Sequence, residues 1–273
     1  MQFFTHYARR ISSLWVNCFK ASVAAILFFL TVLAQGGFHH IAPGFAGLFL
    51  LSGMVGLGLA DGCLIKAFSL MGPGRTMMIF GFQPLIIGIL SYFAFGQAVE
   101  GRKLAAIIFF VACLYIFSLE SFRKHGHWNM RASLFALAGV VLDGVGVIIT
   151  RFSFNANPGI GTTEGNFYRA AGALLLFAAL SRVKPFHFFG KLASLSRGGL
   201  LWITLGSFAG TYLSLMFYLN AVRYAGALAA VSGIGITGTL FSSAFECAYE
   251  RKAPSRYLLV ALVFFFAGMA LLF

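Results

Sequence analysis

The sequence predicts an all-α polytopic membrane protein with about nine transmembrane helices, arranged in two internal repeats of four and five. Composition, the length of the apolar runs and their repetition along the chain predict this class. Hydrophobic residues make up 60% of the 273 residues, and charged residues make up only 10%. Soluble domains carry roughly 25% charged residues, so most of this chain must have lipid as its solvent.

Helices are expected because backbone amides in hydrocarbon have no water to bond, which leaves only helices or closed barrels able to span. A barrel would show short alternating segments, whereas this chain shows continuous apolar runs. A span needs roughly 20 apolar residues. Nine runs approach that length: Leu14–Leu33, Phe45–Ser69, Thr76–Phe95, Leu104–Leu119, Ala132–Phe152, Gly165–Ser181, Gly199–Val222, Gly226–Tyr249 and Tyr257–Phe273.

The connections between these runs are short, so no soluble domain fits between any two helices. The longest connection, Arg182 to Arg197, places its apolar side chains at helical spacing beside basic ones. Two interpretations stay open for it, a helix lying in the membrane interface and an irregular apolar loop. The residues concerned are Phe188, Phe189, Leu192 and Leu195, with Lys191 and Arg197.

The net charge of +13 would suggest nucleic acid in a soluble protein, but here the basic residues lie mostly in the connections and act as topology signals. When the basic residues are assigned to alternate sides of nine helices, 14 of them fall on the side of the N-terminus and 5 fall on the other side. This bias predicts a cytoplasmic N-terminus and an external C-terminus. The four cysteines show no metal-ligand spacing, and His39 and His40 are expected to stand in a loop without carboxylate or Cys partners, so no metal or cofactor is predicted.

The first apolar run has a second interpretation, as a secretory signal peptide. Arg9 and Arg10 precede an apolar stretch from Ala21, and Val32-Leu33-Ala34 resembles a cleavage site. The internal repeat favours a structural helix instead.

The two halves of the chain repeat each other, which suggests residues 1–125 and 126–273 as the two units. At an offset of 154 residues, Gly56, Ala67, Gly72 and Pro84 correspond to Gly210, Ala221, Gly226 and Gly238. At an offset of 149, Asn17-Cys18-Phe19-Lys20-Ala21 corresponds to Asn166-Phe167-Tyr168-Arg169-Ala170. The counterpart of the run Ala132–Phe152 falls before Met1, so the first unit has four helices and the second five.

These residues resemble the drug/metabolite transporter superfamily of EamA type. The resemblance rests on Ala67-(x4)-Gly72 and Ala221-(x4)-Gly226, and on Tyr249-Glu250-Arg251, which is similar to the family's turn before its last helix. Phe95-Gly96-Gln97 stands at the matching place in the first half, with Gln for the usual Glu. Lys20 and Arg169 occupy positions where the family carries a basic residue. The resemblance implies a ten-helix transporter fold, and the first helix of repeat one has no counterpart in this sequence. A start placed too late, a genuine nine-helix variant and a non-functional remnant all stay open as explanations.

Two carboxylates deep in apolar runs are the sharpest site candidates, because a charge at the bilayer centre costs about 2.5–3.5 kcal/mol even on insertion scales. Asp61 lies inside Phe45–Ser69, and Asp143 lies near the centre of Ala132–Phe152. Each is predicted either to bind a substrate cation or proton in the cavity between repeats, or to be a hydrogen-bonded carboxyl that packs helices. Lys66 is expected to reach the interface, and Glu246 and Glu250 lie near helix ends.

The fold that the resemblance implies adds uncharged candidates. Gln83 stands beside Pro84, where a proline frees a backbone carbonyl and predicts a hinge, a ligand contact or a satisfied kink. Tyr212 and Asn220 are candidates to bond a solute. The glycines of the two halves are expected to permit close helix packing: Gly53, Gly56, Gly58, Gly233, Gly235 and Gly238.

Three classes of function follow. The first is a secondary transporter that moves a small organic solute across a bacterial-type inner membrane by rocking one repeat against the other. The second is a structural or partner-binding membrane protein that has lost transport. The third, a membrane enzyme, is disfavoured because no catalytic motif is present, so no catalytic residue is assigned. The expected partners are a small-molecule solute and the bilayer, without nucleic acid; a homodimer stays open.

Overall fold

The computed structural model describes residues 2–97, 100–125, 130–235, 253 and 255–272, and every regular element in these ranges is a helix. In chain order they are α1 (Gln2–Arg10), α2 (Ser13–Ala34), α3 (Pro43–Met71), α4 (Pro73–Phe80), α5 (Gln83–Phe95), α6 (Gly101–His125), α7 (Met130–Ala156), α8 (Thr162–Val183), α9 (Phe188–Ala193), α10 (Arg197–Tyr224), α11 (Leu228–Gly235) and α12 (Arg256–Leu272).

The predicted fold class is confirmed, since the chain is an all-α polytopic membrane protein. Within the described ranges, α2, α3, α7 and α10 are long and apolar enough to cross a membrane, and shorter apolar helices lie at Gln83–Phe95 and Leu259–Leu271. The second part of the run Gly226–Tyr249 lies outside the described residues, as do Gly238, Glu246 and the Tyr249-Glu250-Arg251 motif.

Helix α1 lies ahead of the first predicted run, in a stretch without an apolar run of membrane length. Its nine residues span only about 13 Å, too short to cross a membrane. Phe4, Tyr7 and Ala8 are buried, because the helix packs against α2, α3 and α10. The Tyr7 hydroxyl donates to the carbonyl of Gly199 at 3.1 Å, which connects the start of the chain to the second half.

The helix boundaries follow from capping residues. Ser12 and Ser196 cap α2 and α10, each accepting a backbone N–H with its side-chain oxygen at 3.1 Å, as N-cap residues do. Gly72 and Gly96 end α3 and α5 with φ of 85° and 64°, a backbone conformation that favours glycine.

The predicted single run Thr76–Phe95 is two helices rather than one. The chain turns at Gly81 and Phe82, and Pro84 stands in the first turn of α5. Proline has no N–H to donate into the preceding turn and fits only the start of a helix. The break places Gln83 at mid-membrane, ten residues from Pro73 and twelve from Phe95.

Two long helices contain a π-helical segment, Met54–Ala60 in α3 and Phe208–Leu213 in α10. They begin 154 residues apart, at the offset of the sequence repeat. A π-segment disturbs the regular backbone ladder, and such segments are frequent at functional sites. The amide of Asn17 donates to the carbonyls of Leu57 and Gly58, each at 3.0 Å, and satisfies acceptors within the first segment.

Glycines bring α3 into backbone contact with α7 and α8. A Cβ added to Gly146 of α7 would lie 2.9 Å from the Cα of Gly56, and a Cβ added to Gly53 would collide with the backbone of Arg169 in α8. A Cβ added to Gly58 would also crowd α8, at 2.5 Å from Leu176. The close packing predicted for Gly53, Gly56 and Gly58 is therefore present. Helix α3 is the central element, and the candidate site lies around it.

The connection predicted as an interface helix or a loop contains the short helix α9. Phe188 faces inward and stacks on Trp15 with ring centroids 5.8 Å apart, while Phe189 is 80% exposed. The indole N–H of Trp15 donates to the carbonyl of Phe188 at 3.0 Å. This bond fixes α9 against the first turn of α2.

Candidate functional site

Asp61 forms an ion pair with Lys20 of the neighbouring helix α2. The Nζ of Lys20 lies 2.6 Å from Oδ2 of Asp61, and the two side chains are only 11% and 23% exposed. Lys20 is seven residues from the start of α2, about 10 Å into the helix. The ammonium group also lies 5.6 Å from the ring centroid of Phe4 in α1. The pair thus joins α2 and α3 under the cover of α1.

Asp143 lies at the middle of α7, thirteen residues from either end of the helix, or about 20 Å. The side-chain amide of Gln83 donates a short hydrogen bond to its Oδ2. Gln83 reaches Asp143 because the break before α5 presents it at this depth. Both of these predicted site residues therefore belong to one contact between α5 and α7.

Arg169 of α8 is the fourth charged group of this region, and it is only 1% exposed. Its guanidinium lies against the π-segment of α3, where a Cβ on Gly56 would be 3.2 Å from Nη2. The Nε and Nη1 atoms are buried and have no hydrogen-bond partner. A buried donor without a partner costs about 1–3 kcal/mol, and more when it is charged.

These groups act on one another across five helices. Asp143 interacts electrostatically with Asp61, Arg169 and Lys20, and Arg169 interacts with Asp143, Asp61 and Tyr218. The two carboxylates and two cations balance in formal charge. However, only Lys20 and Asp61 approach within ion-pair distance, so among the described residues Arg169 has no paired carboxylate.

Tyr212 and Asn220 stand apart from this charged cluster in their hydrogen bonding. The Tyr212 hydroxyl bonds to Oγ1 of Thr31 at 2.7 Å and so connects α10 to α2. Asn220 accepts from the Thr162 hydroxyl at 3.0 Å and donates to its own helix at the carbonyl of Met216, at 2.7 Å. Both side chains already hold helices together, and their contact with a solute stays a prediction.

Sequence reasoning missed the partners of the acidic residues. It treated Lys20 as a topology signal, although the family carries a basic residue at that position. The expectation that His39 has no carboxylate partner was wrong, since its Nδ1 lies 3.1 Å from Oε2 of the buried Glu164. Arg151 and Arg223 were counted as topology signals too, yet both donate to backbone carbonyls: Arg151 to Val222 and Arg223, and Arg223 to Ile160 and Pro158. These two arginines fix the ends of α7, α8 and α10 together.

The arrangement is suited to binding. Among the described residues, hydrogen-bond donors, a carboxyl and a guanidinium lie together deep in the helix bundle. No three His, Cys, Asp or Glu side chains in the described part of the chain come together as metal ligands. Polar groups of this kind in a membrane interior mark solute or ion pathways.

Known proteins resemble this chain both in sequence and in structure. Residues 2–119 match the model of the EamA-like transporter family. Of the solved structures, 28 chains match. One, titled only "Crystal structure of protein", has 15% sequence identity and a TM-score of 0.74, covering 99% of this chain and 92% of that one. At that identity the likeness shows the fold alone. No curated protein matches.

The family match begins within α1 and ends in α6, so it covers Lys20, Asp61 and Gln83, and the fold likeness extends over nearly the whole chain. Members of this family are transporters of the drug/metabolite transporter superfamily. The resemblance seen in the sequence is confirmed, since residues 2–119 of this integral membrane protein match the EamA-like transporter family.

Proposed function

We propose that this protein is a secondary transporter that moves a small organic solute across a bacterial-type cytoplasmic membrane by alternating access. The two moving units are residues 1–125 and 126–273. The observation that carries the proposal is Asp143, a carboxyl held by Gln83 about 20 Å from either end of its helix. Such a group is expensive to keep in lipid and is expected on a solute or proton path.

The helix irregularities support a moving site. The break between α4 and α5 and the π-segment of α3 both lie beside the charged cluster, and the second π-segment lies at the repeat offset in α10. Interrupted helices near the midplane form the binding sites of many transporters built from repeats. The breaks allow the two units to rock while Asp61, Gln83 and Asp143 stay at the centre.

A packing role is the competing explanation, because Lys20–Asp61 and Gln83–Asp143 are both satisfied pairs. A scaffold that has lost transport would keep such pairs as interhelical contacts. Arg169 favours transport, since its two unpartnered nitrogens weaken a purely structural cluster and leave donors available for a solute.

The substitution Asp143→Asn tests the proposal. It keeps the size of the side chain and one acceptor oxygen for Gln83, and it replaces the other carboxylate oxygen by a neutral amide NH2. We therefore expect inserted protein with abolished solute transport. Cells that express the wild type or the variant are compared by mass spectrometry of metabolites in the medium and in the cytosol. Glu100→Gln, a charge removal at an exposed carboxylate before α6, is the matched control. Transport equal to wild type in Asp143→Asn removes Asp143 from the site.

A further inference from the structure

The unpartnered polar atoms beside α8 specify what kind of group is missing. The Nε and Nη1 of Arg169 can only donate hydrogen bonds, because a guanidinium has no acceptor atom. The hydroxyl of Tyr218 in α10 is also buried without a partner. The missing partner of Arg169 must therefore be an acceptor, and the Tyr218 hydroxyl can donate one more hydrogen bond to the same acceptor group.

The geometry of α8 and α10 brings these atoms to the same interface. Asn166, three residues before Arg169 on α8, donates to the carbonyl of Leu215 in α10 at 3.0 Å. Tyr218 is three residues after Leu215, and residues three apart share a helix face. The two hydrogen bonds Thr162–Asn220 and Asn166–Leu215 show that α8 and α10 run antiparallel. Helical side chains tilt toward the N-terminus of their helix, so Arg169 and Tyr218 each lean back toward the Asn166–Leu215 contact, and they are near enough to interact electrostatically. The Oδ1 of Asn166 is unpartnered too and offers one acceptor beside the donors.

Charge distinguishes an anion from water as the missing partner. A buried water molecule can accept from Arg169, but it gives the guanidinium no direct ion pair at low dielectric, where a buried charge without a close partner is costly. The carboxylates of the described residues act on Arg169 only from beyond ion-pair distance, because Asp61 is paired with Lys20 and Asp143 is bonded to Gln83. A planar carboxylate matches the fork of a guanidinium with two parallel hydrogen bonds.

We propose that Arg169 and Tyr218 form an anion-binding subsite, and that the solute carries a carboxylate bound by both side chains. The inference rests on the proposed transport function and names the class of its solute. The carboxylate accepts from the guanidinium of Arg169 and from the Tyr218 hydroxyl. Asn166 Oδ1 remains available to an N–H or O–H donor of the same solute.

The test is equilibrium retention of solutes by the purified full-length protein in nanodiscs. The probe is a 13C-labelled extract of small cellular metabolites, and retained compounds are identified by mass spectrometry against protein-free nanodiscs. We expect the retained compounds to share a carboxylate. Retention should fall by about tenfold or more in Arg169→Gln, because hydrogen bonds to charged groups are worth about 1.5–3 kcal/mol. Arg182→Gln, at an exposed position of the same helix, should retain them as the wild type does.

Tyr218→Phe covers the case in which Arg169→Gln fails to fold. It removes one hydroxyl, and retention should fall by roughly fivefold for the loss of one hydrogen bond. Tyr224→Phe is its control on α10, since Tyr224 is 73% exposed. Three results would overturn the subsite: retained compounds without a carboxylate, undiminished retention in both site variants, or no retention above protein-free nanodiscs. Buried water would then be the partner of these donors.

Flux measurements in liposomes separate this inference from the proposed function. A carboxylate that is retained through Arg169 but never crosses liposomes contradicts transport and leaves the subsite intact. Solutes without a carboxylate that cross at wild-type rate in Arg169→Gln contradict the subsite and leave transport intact.

Discussion

The ion pair between Lys20 and Asp61 yields the most quantitative prediction, because its energy can be isolated by three variants. These are Lys20→Met, Asp61→Asn and the double variant. Each single variant leaves one charge without its partner at a site where the side chains are 11% and 23% exposed. Removing one partner of a buried pair costs about 3–5 kcal/mol, whereas an exposed pair is worth about 0.2–1 kcal/mol.

The structure shows that this ion pair is closer to the buried case than to the exposed one. With a 2.6 Å contact and mostly covered side chains, we expect each single variant to lose about 3 kcal/mol of folding free energy. Lys20→Met loses a further 0.5–1 kcal/mol or so from the Phe4 ring. The double variant leaves no unpaired charge and should lose much less than the sum, which gives a coupling energy of about 2 kcal/mol or more.

The assay is reversible unfolding of the purified protein in mixed micelles, with the four proteins measured in parallel. Lys66→Met serves as the control, because Lys66 is an exposed lysine on the same helix as Asp61, and should change stability by no more than about 0.5 kcal/mol. Single variants as stable as wild type, or a double variant whose loss equals the sum, would refute the view that this pair is buried and coupled.

Three further variants test other parts of the structure. Gly146→Ala should lower the free energy of unfolding by about 1–3 kcal/mol through overpacking, since its Cβ would lie 2.9 Å from α3. Gly47→Ala is the control, because a Cβ there would have nothing within 4 Å. Equal unfolding free energies for the two variants contradict the close helix contact. Arg223→Gln should speed proteolytic cleavage of the α7–α8 connection, whose carbonyls it binds; unchanged cleavage excludes that role. Tyr212→Phe should cost about 1 kcal/mol through the lost bond to Thr31, and a stability unchanged from wild type indicates that this bond contributes nothing.

The spans could be predicted from the sequence because the bilayer imposes a length on each apolar run. Helices α2 and α7 begin and end within a few residues of the predicted runs. Helix α1 could not be predicted in this way, since nine residues are too few for a span and its burial depends on packing against α2, α3 and α10.

The sequence singled out Asp61, Asp143 and Gln83, because charge and proline are conspicuous in apolar runs. The structure brings Gln83 and Asp143 into contact, and the role of all three in a solute site stays a prediction. Their partners were not predicted, since the pairing of Lys20 with Asp61 depends on which helices are neighbours in space. Arg169 was placed near an interface, because the predicted run began at Gly165. Its full burial follows from the glycines of α3, which let α8 pack closely against that helix. A sequence pattern does not show how closely two helices approach.

Access of solvent to the cluster tests the central claim most directly, because a transport site is reached from both faces of the membrane and a packing cluster from neither. We would place a single cysteine at Gln83 in a protein lacking the four native cysteines. Its reaction with a membrane-impermeant thiol reagent is then measured from outside and from inside liposomes. The account predicts modification from each face. A cysteine that reacts from neither face, or from one face only, contradicts it.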